Sequence, residues 1–181
     1  MNHNLKHVIV GLLLAGLTTL PSSVHGGGIE LYEIATPDVG LASAGYAARA
    51  EDASTVFKNP AGMSQLQGAQ FQGGLQALYG SVTFSPDANT SLGLGNNDGG
   101  NAIGWLPGAS LFVVVPLDEK WRVGFGTLSY FGLAEDYNDN WVGRYYVQKS
   151  SLLGMSLMPS VSYQATDWLS VGVGLNAMYG T

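Results

Sequence analysis

Apolar and polar side chains alternate with a period of two along most of this chain after residue 68, the signature of half-buried strands, whose successive side chains point to opposite faces. Over residues 69–79, Phe71, Leu75, Ala77 and Tyr79 fall on one face and Gln70, Gln72 and Gln76 on the other. Residues 105–117 set Trp105, Ala109, Leu111, Val113, Val115 and Leu117 against a mixed face with Gly108 and Ser110. The alternation is weaker there because Phe112 and Val114 are also apolar. A third strand from Trp121 puts Trp121, Val123, Phe125 and Phe131 opposite Arg122, Gly124 and Gly126. The clearest repeat lies within residues 144–163, where Leu153, Met155, Leu157, Val161 and Tyr163 oppose Ser150, Gly154, Ser156, Ser160 and Ser162. Pro159 cannot donate to a ladder, so it is expected at a bulge or an unpaired position. A fifth strand opposes Leu169, Val171, Val173, Leu175, Ala177 and Tyr179 to Ser170, Gly172, Gly174 and Asn176.

Short connections at 116–120 and 164–167 alternate with long ones at 80–104 and 133–143, the asymmetry of an outer-membrane barrel with tight inner turns and long outer loops. Trp121, Tyr163 and Trp168 border the short turns, where an interfacial aromatic girdle belongs. A soluble β-sandwich would also alternate, but the loop asymmetry and girdle favour an all-β, transmembrane antiparallel barrel over residues 69–181. Closure of such a barrel takes at least about eight strands, so further strands are expected after Thr181.

Composition supports this reading: 46% of residues are hydrophobic, only 11% charged, and 26 are Gly. Residues 1–26 read as a secretory signal, with Lys6 in a polar start, an apolar run over residues 8–17 and a breaker-rich exit. That run is shorter than the roughly 20 apolar residues of a spanning helix. His3, His7 and His25 all fall within residues 1–26, and there is no Cys. The remainder therefore lacks the commonest general base and transition-metal ligands, so no catalytic residues, metal or cofactor are assigned and a non-enzyme is expected. The net charge of −6 gives no surface for nucleic acid.

Residues 27–68 do not alternate. They are rich in Ala and carry Glu30, Glu33, Asp38, Arg49, Glu51, Asp52 and Lys58. A piece near the lower limit of about 40 residues for independent folding needs a host, and a barrel lumen offers one, so short helices forming a plug are expected there; a disordered tail is the alternative. Within it, Asn59-Pro60-Ala61-Gly62 reads as an extended Asn before Pro and a turn at Gly62.

That motif in its setting, with Ala42-Ser43-Ala44-Gly45-Tyr46-Ala47, Asp52-Ala53-Ser54-Thr55 and Lys58 before it, resembles the hatch of FadL-type transporters of long-chain fatty acids and hydrocarbons. Gly27-Gly28-Ile29-Glu30-Leu31 is similar to that family's mature N-terminus, Val115-Pro116-Leu117-Asp118 and Trp121-Arg122-Val123-Gly124 to its first hairpin, and Tyr130-Phe131-Gly132-Leu133-Ala134 and Gly172-Val173-Gly174-Leu175-Asn176-Ala177-Met178-Tyr179 to its strands. The resemblance implies a monomeric 14-stranded barrel in the Gram-negative outer membrane, within the even-numbered range of such proteins. Its lumen would be closed by the hatch, with passive passage of a hydrophobic small molecule and sideways exit. It implies gating at Asn59, Pro60 and Ala61, an inner-pocket segment at Gly27, Gly28 and Ile29, and a strand kink near Tyr130, Phe131, Gly132 and Leu133, where a plain strand end leading into Glu135 is the alternative.

A general porin for small polar solutes shares the barrel but should lack the long pre-strand plug; an outer-membrane lipase would need a base from elsewhere. The dinucleotide-like spacing of Gly172, Gly174 and Ala177 lies inside a strand and is discounted. Glu135, Asp136 and Asp139 either bridge divalent ions to lipopolysaccharide or form an acidic solvated loop.

Overall fold

The computed structural model describes residues 31–87 and 95–181, so the signal expected over residues 1–26, and Gly27, Gly28 and Ile29, lie outside the described residues. The strands are β1 (Gln70–Gly80), β2 (Gly104–Pro116), β3 (Trp121–Asp136), β4 (Lys149–Thr166), β5 (Leu169–Gly174) and β6 (Ala177–Gly180). They form one sheet in the order β1-β2-β3-β4-β5, with β6 also against β4, and every pairing is antiparallel. Among the described residues no helix is long and apolar enough to cross a membrane.

Three details depart from the period-two reading, each for a local reason. The fifth strand is divided: β5 and β6 continue one register on β4, with Ser160 opposite Gly174 and Leu157 opposite Ala177. The gap is level with Pro159, whose carbonyl accepts from Leu175 N at 3.0 Å but which has no N–H to return. On its other edge Pro159 pairs regularly with Phe125, not at a bulge. Secondly, residues 142–146 form turns and β4 begins at Lys149. Thirdly, Leu128 pairs with Ser156 but Phe131 pairs with Gly154, so Ser129 and Tyr130 together oppose Met155. This β-bulge shifts the alternation by one residue, and Phe131 does not share the register face of Trp121, Val123 and Phe125.

The two faces of the sheet differ sharply. One is bare and oily: Leu75 is 88% exposed, Trp105 69% and Phe71 71%, with Met155, Val171 and Val173 alongside. Residues 31–68 cover the other. There Phe112, Val114, Leu128 and Met158 from the strands form the core with Ile34, Ala53, Val56, Met63 and Leu66 from the covering segment. The apolar Phe112 and Val114 that blurred the alternation in β2 are thus the contribution of β2 to that core.

Aromatic side chains mark both rims of the bare face. Trp121 and Tyr163 meet at 4.6 Å beside the short turns, and Tyr79 and Trp105 at 5.2 Å at the opposite end. Leu117 bonds across the turn to Trp121; about twelve residues from Trp105 to Leu117, at roughly 3.3 Å each and a tilt near 40°, advance about 30 Å. That matches the hydrocarbon core of a bilayer, about 30 Å.

Candidate functional site

The covering segment has almost no regular structure of its own: 3-10 turns at Pro37–Leu41 and Pro60–Gln65 and one helical turn at Thr55–Lys58. Its internal frame is a charge cluster centred on Asp38, whose side chain is 0% exposed. Asp38 receives Arg49 at 2.7 Å and Lys58, 1% exposed, at 2.8 Å, and Thr36 Oγ1 donates at 3.2 Å. Arg49 also holds Glu51 at 2.6 Å, and Lys58 lies 3.8 Å from Asp52. The buried carboxylate ties together residues separated by up to 20 positions, a role that sequence spacing does not reveal. Reciprocity of charge, two cations around one buried anion, is the condition for tolerating such a group.

Asn59, Pro60 and Ala61 form the footing of the segment on β5. Asn59 is extended, with φ −161° and ψ 92°, as a residue before Pro must be, and its amide donates to Ala47 O at 2.9 Å. A Cβ on Gly172 would come within 2.3 Å of Ala61 N and 2.5 Å of Pro60 C, so only Gly lets the turn lie on the strand there. Ser64 adds a 2.7 Å hydroxyl contact with Ser170. Gly62 is not itself at a left-handed turn; it lies within Pro60–Gln65 because a side chain would meet Thr55 Cγ2 at 2.9 Å. A polar recess of about 340 Å³ opens beside this footing, edged by Asn59, Gln65, Gln164, Asp167 and Trp168.

Tyr130, Phe131, Gly132 and Leu133 are not a strand end, since β3 runs on to Asp136. Tyr130 sits in the bulge, Gly132 pairs with Leu153 and Leu133 with Leu152; the side chains of Tyr130 and Phe131 lie outside the described residues. Ser129 Oγ donates to Gly154 O at 2.8 Å at the point where the ladder is disrupted. The structure does not bring the bulge and residues 59–61 together. Gly172 is level with Ser162 and Arg122, about seven residues along β3 from the bulge, or roughly 20 Å.

Among the described residues of the segment, 33–36 are bonded to β1 and to the β2 residue level with Leu128, at the edge of the bulge. Ala35 N donates to Gln76 Oε1 at 2.6 Å, Gln76 Nε2 donates to Glu33 O, and Ser110, the ladder partner of Leu128, donates to Ala35 O at 3.3 Å. Outside the membrane span, the turn after β2 is closed by Asp118, whose carboxylate accepts from Lys120 N and Trp121 N, both at 2.7 Å. Those bonds, first Trp121 and then Lys120, hold its carboxyl below the ordinary carboxylate range. At the other end the long loops grip each other: Tyr137 stacks on Trp141 at 3.9 Å, Phe84 meets Trp141 edge-on, and Val142 N donates to Asn97 O. Of the acidic residues there, Asp136 pairs with Lys149 at 3.1 Å and Asp139 accepts from Gln148.

Residues 17–181 match the family described as Outer membrane protein transport protein (OMPP1/FadL/TodX). Outer membrane protein P1 of Haemophilus influenzae is 32% identical over 180 aligned residues, covering 93% of this chain and 39% of that protein. The Long-chain fatty acid transport protein of Escherichia coli is 27% identical, covering 92% of this chain and 37% of its own length. The chain therefore spans under two fifths of these curated relatives. Among solved structures, that of a Pseudomonas aeruginosa FadL homologue superimposes with a TM-score of 0.67 at 24% identity, over 84% of this chain and 38% of that one, a likeness of fold.

Proposed function

This chain belongs to the outer membrane transport protein family (OMPP1/FadL/TodX), and from that we propose that it supplies the hatch and first wall strands of an outer-membrane barrel passing hydrophobic compounds, long-chain fatty acids or hydrocarbons. The supporting observation is the contrast between faces: a bilayer-length oily surface on one side of the sheet and a packed, charge-framed segment on the other. An oily face of this extent needs a hydrophobic partner in place of water; lipid is that partner. The barrel acts as a monomer and does no covalent chemistry; substrate moves down its gradient. A ligand opens such a path only by binding the open state better than the closed one.

In this reading residues 27–68, described from residue 31 on, are the hatch, and Asn59, Pro60 and Ala61 couple it to the wall through Gly172. The bulge at Ser129 and Tyr130, followed by Gly132 and Leu133, supports a sideways exit, because the ladder is interrupted there and the bulged strand bends. The covering segment argues against a general porin, whose aqueous lumen would need that space. Uptake of radiolabelled long-chain fatty acid and of an aromatic hydrocarbon by cells carrying the full-length protein, set beside sugar leakage from liposomes, tests the reading. Hydrophobic uptake without sugar leakage is expected; sugar leakage without hydrophobic uptake would establish the porin.

A further inference from the structure

We propose that Gln76 is a positioning residue for the gate: its side-chain amide latches residues 33–36 over the wall beside the β3 bulge, and passage requires that latch to release. The inference rests on the transport reading above and identifies which part of the hatch moves.

The wall is shaped to hold this latch. A Cβ on Gly108 would lie 2.8 Å from Gln76 Nε2 and 2.9 Å from its Cγ, so Gly at 108 makes room for the Gln76 side chain. A Cβ on Gly74 would lie 1.8 Å from Ala35 O, so Gly at 74 makes room for the arm itself. The amide then uses both ends, accepting from Ala35 N and donating to Glu33 O. Neither glycine has a positive φ; Gly74 is required by the backbone of the arm, and Gly108 leaves the Gln76 side chain its room.

Ala35 is held at φ +58°, a left-handed conformation that an Ala adopts only when its surroundings impose it. Release of Gln76 would let that residue relax, which offsets part of the cost of breaking the contacts that hold the arm. The footing at Pro60–Gln65 carries no such strain: none of its residues has a positive φ, Met63 is fully buried and Ala61 lies on the backbone of β5, whereas the arm combines a buried Ile34 with the strained Ala35. The arm is thus the strained end of the hatch and the footing its unstrained end.

The position of the latch fits a lateral path. Ser110, which holds Ala35 O, is level with Leu128, the last residue before the bulge. On the bare side of β1 to β4 lies a hollow of about 790 Å³, lined by Gly73, Leu75, Ala109, Leu111, Thr127 and Met155. Small residues there leave little more than backbone between the arm and the lipid side.

The test uses the full-length protein in outer membranes; residues 1–181 contain no Cys, and with any Cys elsewhere in the protein replaced by Ser, Thr36→Cys reports on the arm. Thr36 is buried, 6% exposed, so the thiol should react slowly with a small maleimide. Gln76→Ala should raise its labelling about thirtyfold, the worth of two hydrogen bonds at about 1 kcal/mol each, and oleate should raise labelling in the Gln76 protein but add little in Gln76→Ala. Labelling that neither Gln76→Ala nor oleate changes would overturn the latch. So would faster labelling in Gln76→Ala with oleate uptake, and its dependence on oleate concentration, left as in the Gln76 protein. Oleate uptake by the Gln76 protein is measured in the same cells; its absence would sink the transport reading itself, whereas its presence with an inert latch sinks only this assignment.

Discussion

Lys58→Met removes one of the two cations around the buried Asp38. Taking one partner from a buried ion pair costs about 3–5 kcal/mol, because the remaining charge is left uncompensated. Here Arg49 stays at 2.7 Å, although it is shared with Glu51, which places the expected cost at the lower end, about 3 kcal/mol. At 1.4 kcal/mol per tenfold, that is roughly a hundredfold increase in the population of the undocked segment. Amide hydrogen exchange of the full-length protein in detergent micelles reads this directly: peptides from residues 31–68 should lose about a hundredfold of protection while those from β1 to β4 keep theirs. The double variant Asp38→Asn with Lys58→Met should recover most of the loss, since removing both charges leaves nothing uncompensated. A single variant that exchanges like the parent, or a double variant worse than the single, would refute the view that this cluster frames the segment.

Phe112→Ala should destabilise docking of the segment by about 3–5 kcal/mol, the range for truncating a buried Phe, seen as lost protease protection of residues 31–68 with the barrel still inserted; unchanged protection would contradict the core described here. Leu75→Arg should cost about 2–4 kcal/mol of barrel stability in lipid, measured by urea titration in phospholipid vesicles, whereas in a soluble sheet so exposed a position would tolerate Arg. For the turn at Asp118, the carboxyl is depressed in the folded protein, so its contribution is present above the ordinary Asp range and lost as pH falls through the lowered folded value. Exchange at Lys120 N and Trp121 N should therefore rise only on acidification beyond the ordinary Asp range, and Asp118→Ala should abolish that dependence.

Much of the wall is legible from alternation alone. In β4 each of Met155, Leu157 and Val161 faces away from the covering segment and Ser156, Ser160 and Ser162 towards it, because one face meets oil and the other meets packed protein. The bulge in β3 leaves no comparable trace: a one-residue shift between Leu128 and Phe131 moves apolar residues onto either face, and the pattern reads equally well both ways. Phe112 and Val114 look like noise until Ile34, Val56 and Met63 are seen against them. The charges of the segment are visible in sequence, but their convergence on Asp38 depends on folding over a span of 20 residues. Gln76, Gly74 and Gly108 read only as a polar or small inner face; their shared purpose appears when Ala35 is placed on top of them.

In the proposed barrel, residues 31–68 fill the lumen and close it to ions. Conductance of the full-length protein in planar bilayers, with and without deletion of those residues, measures this. A barrel closed to ions that becomes an open aqueous pore on deletion is the predicted result; a large conductance already present in the intact protein, unchanged by the deletion, would contradict it.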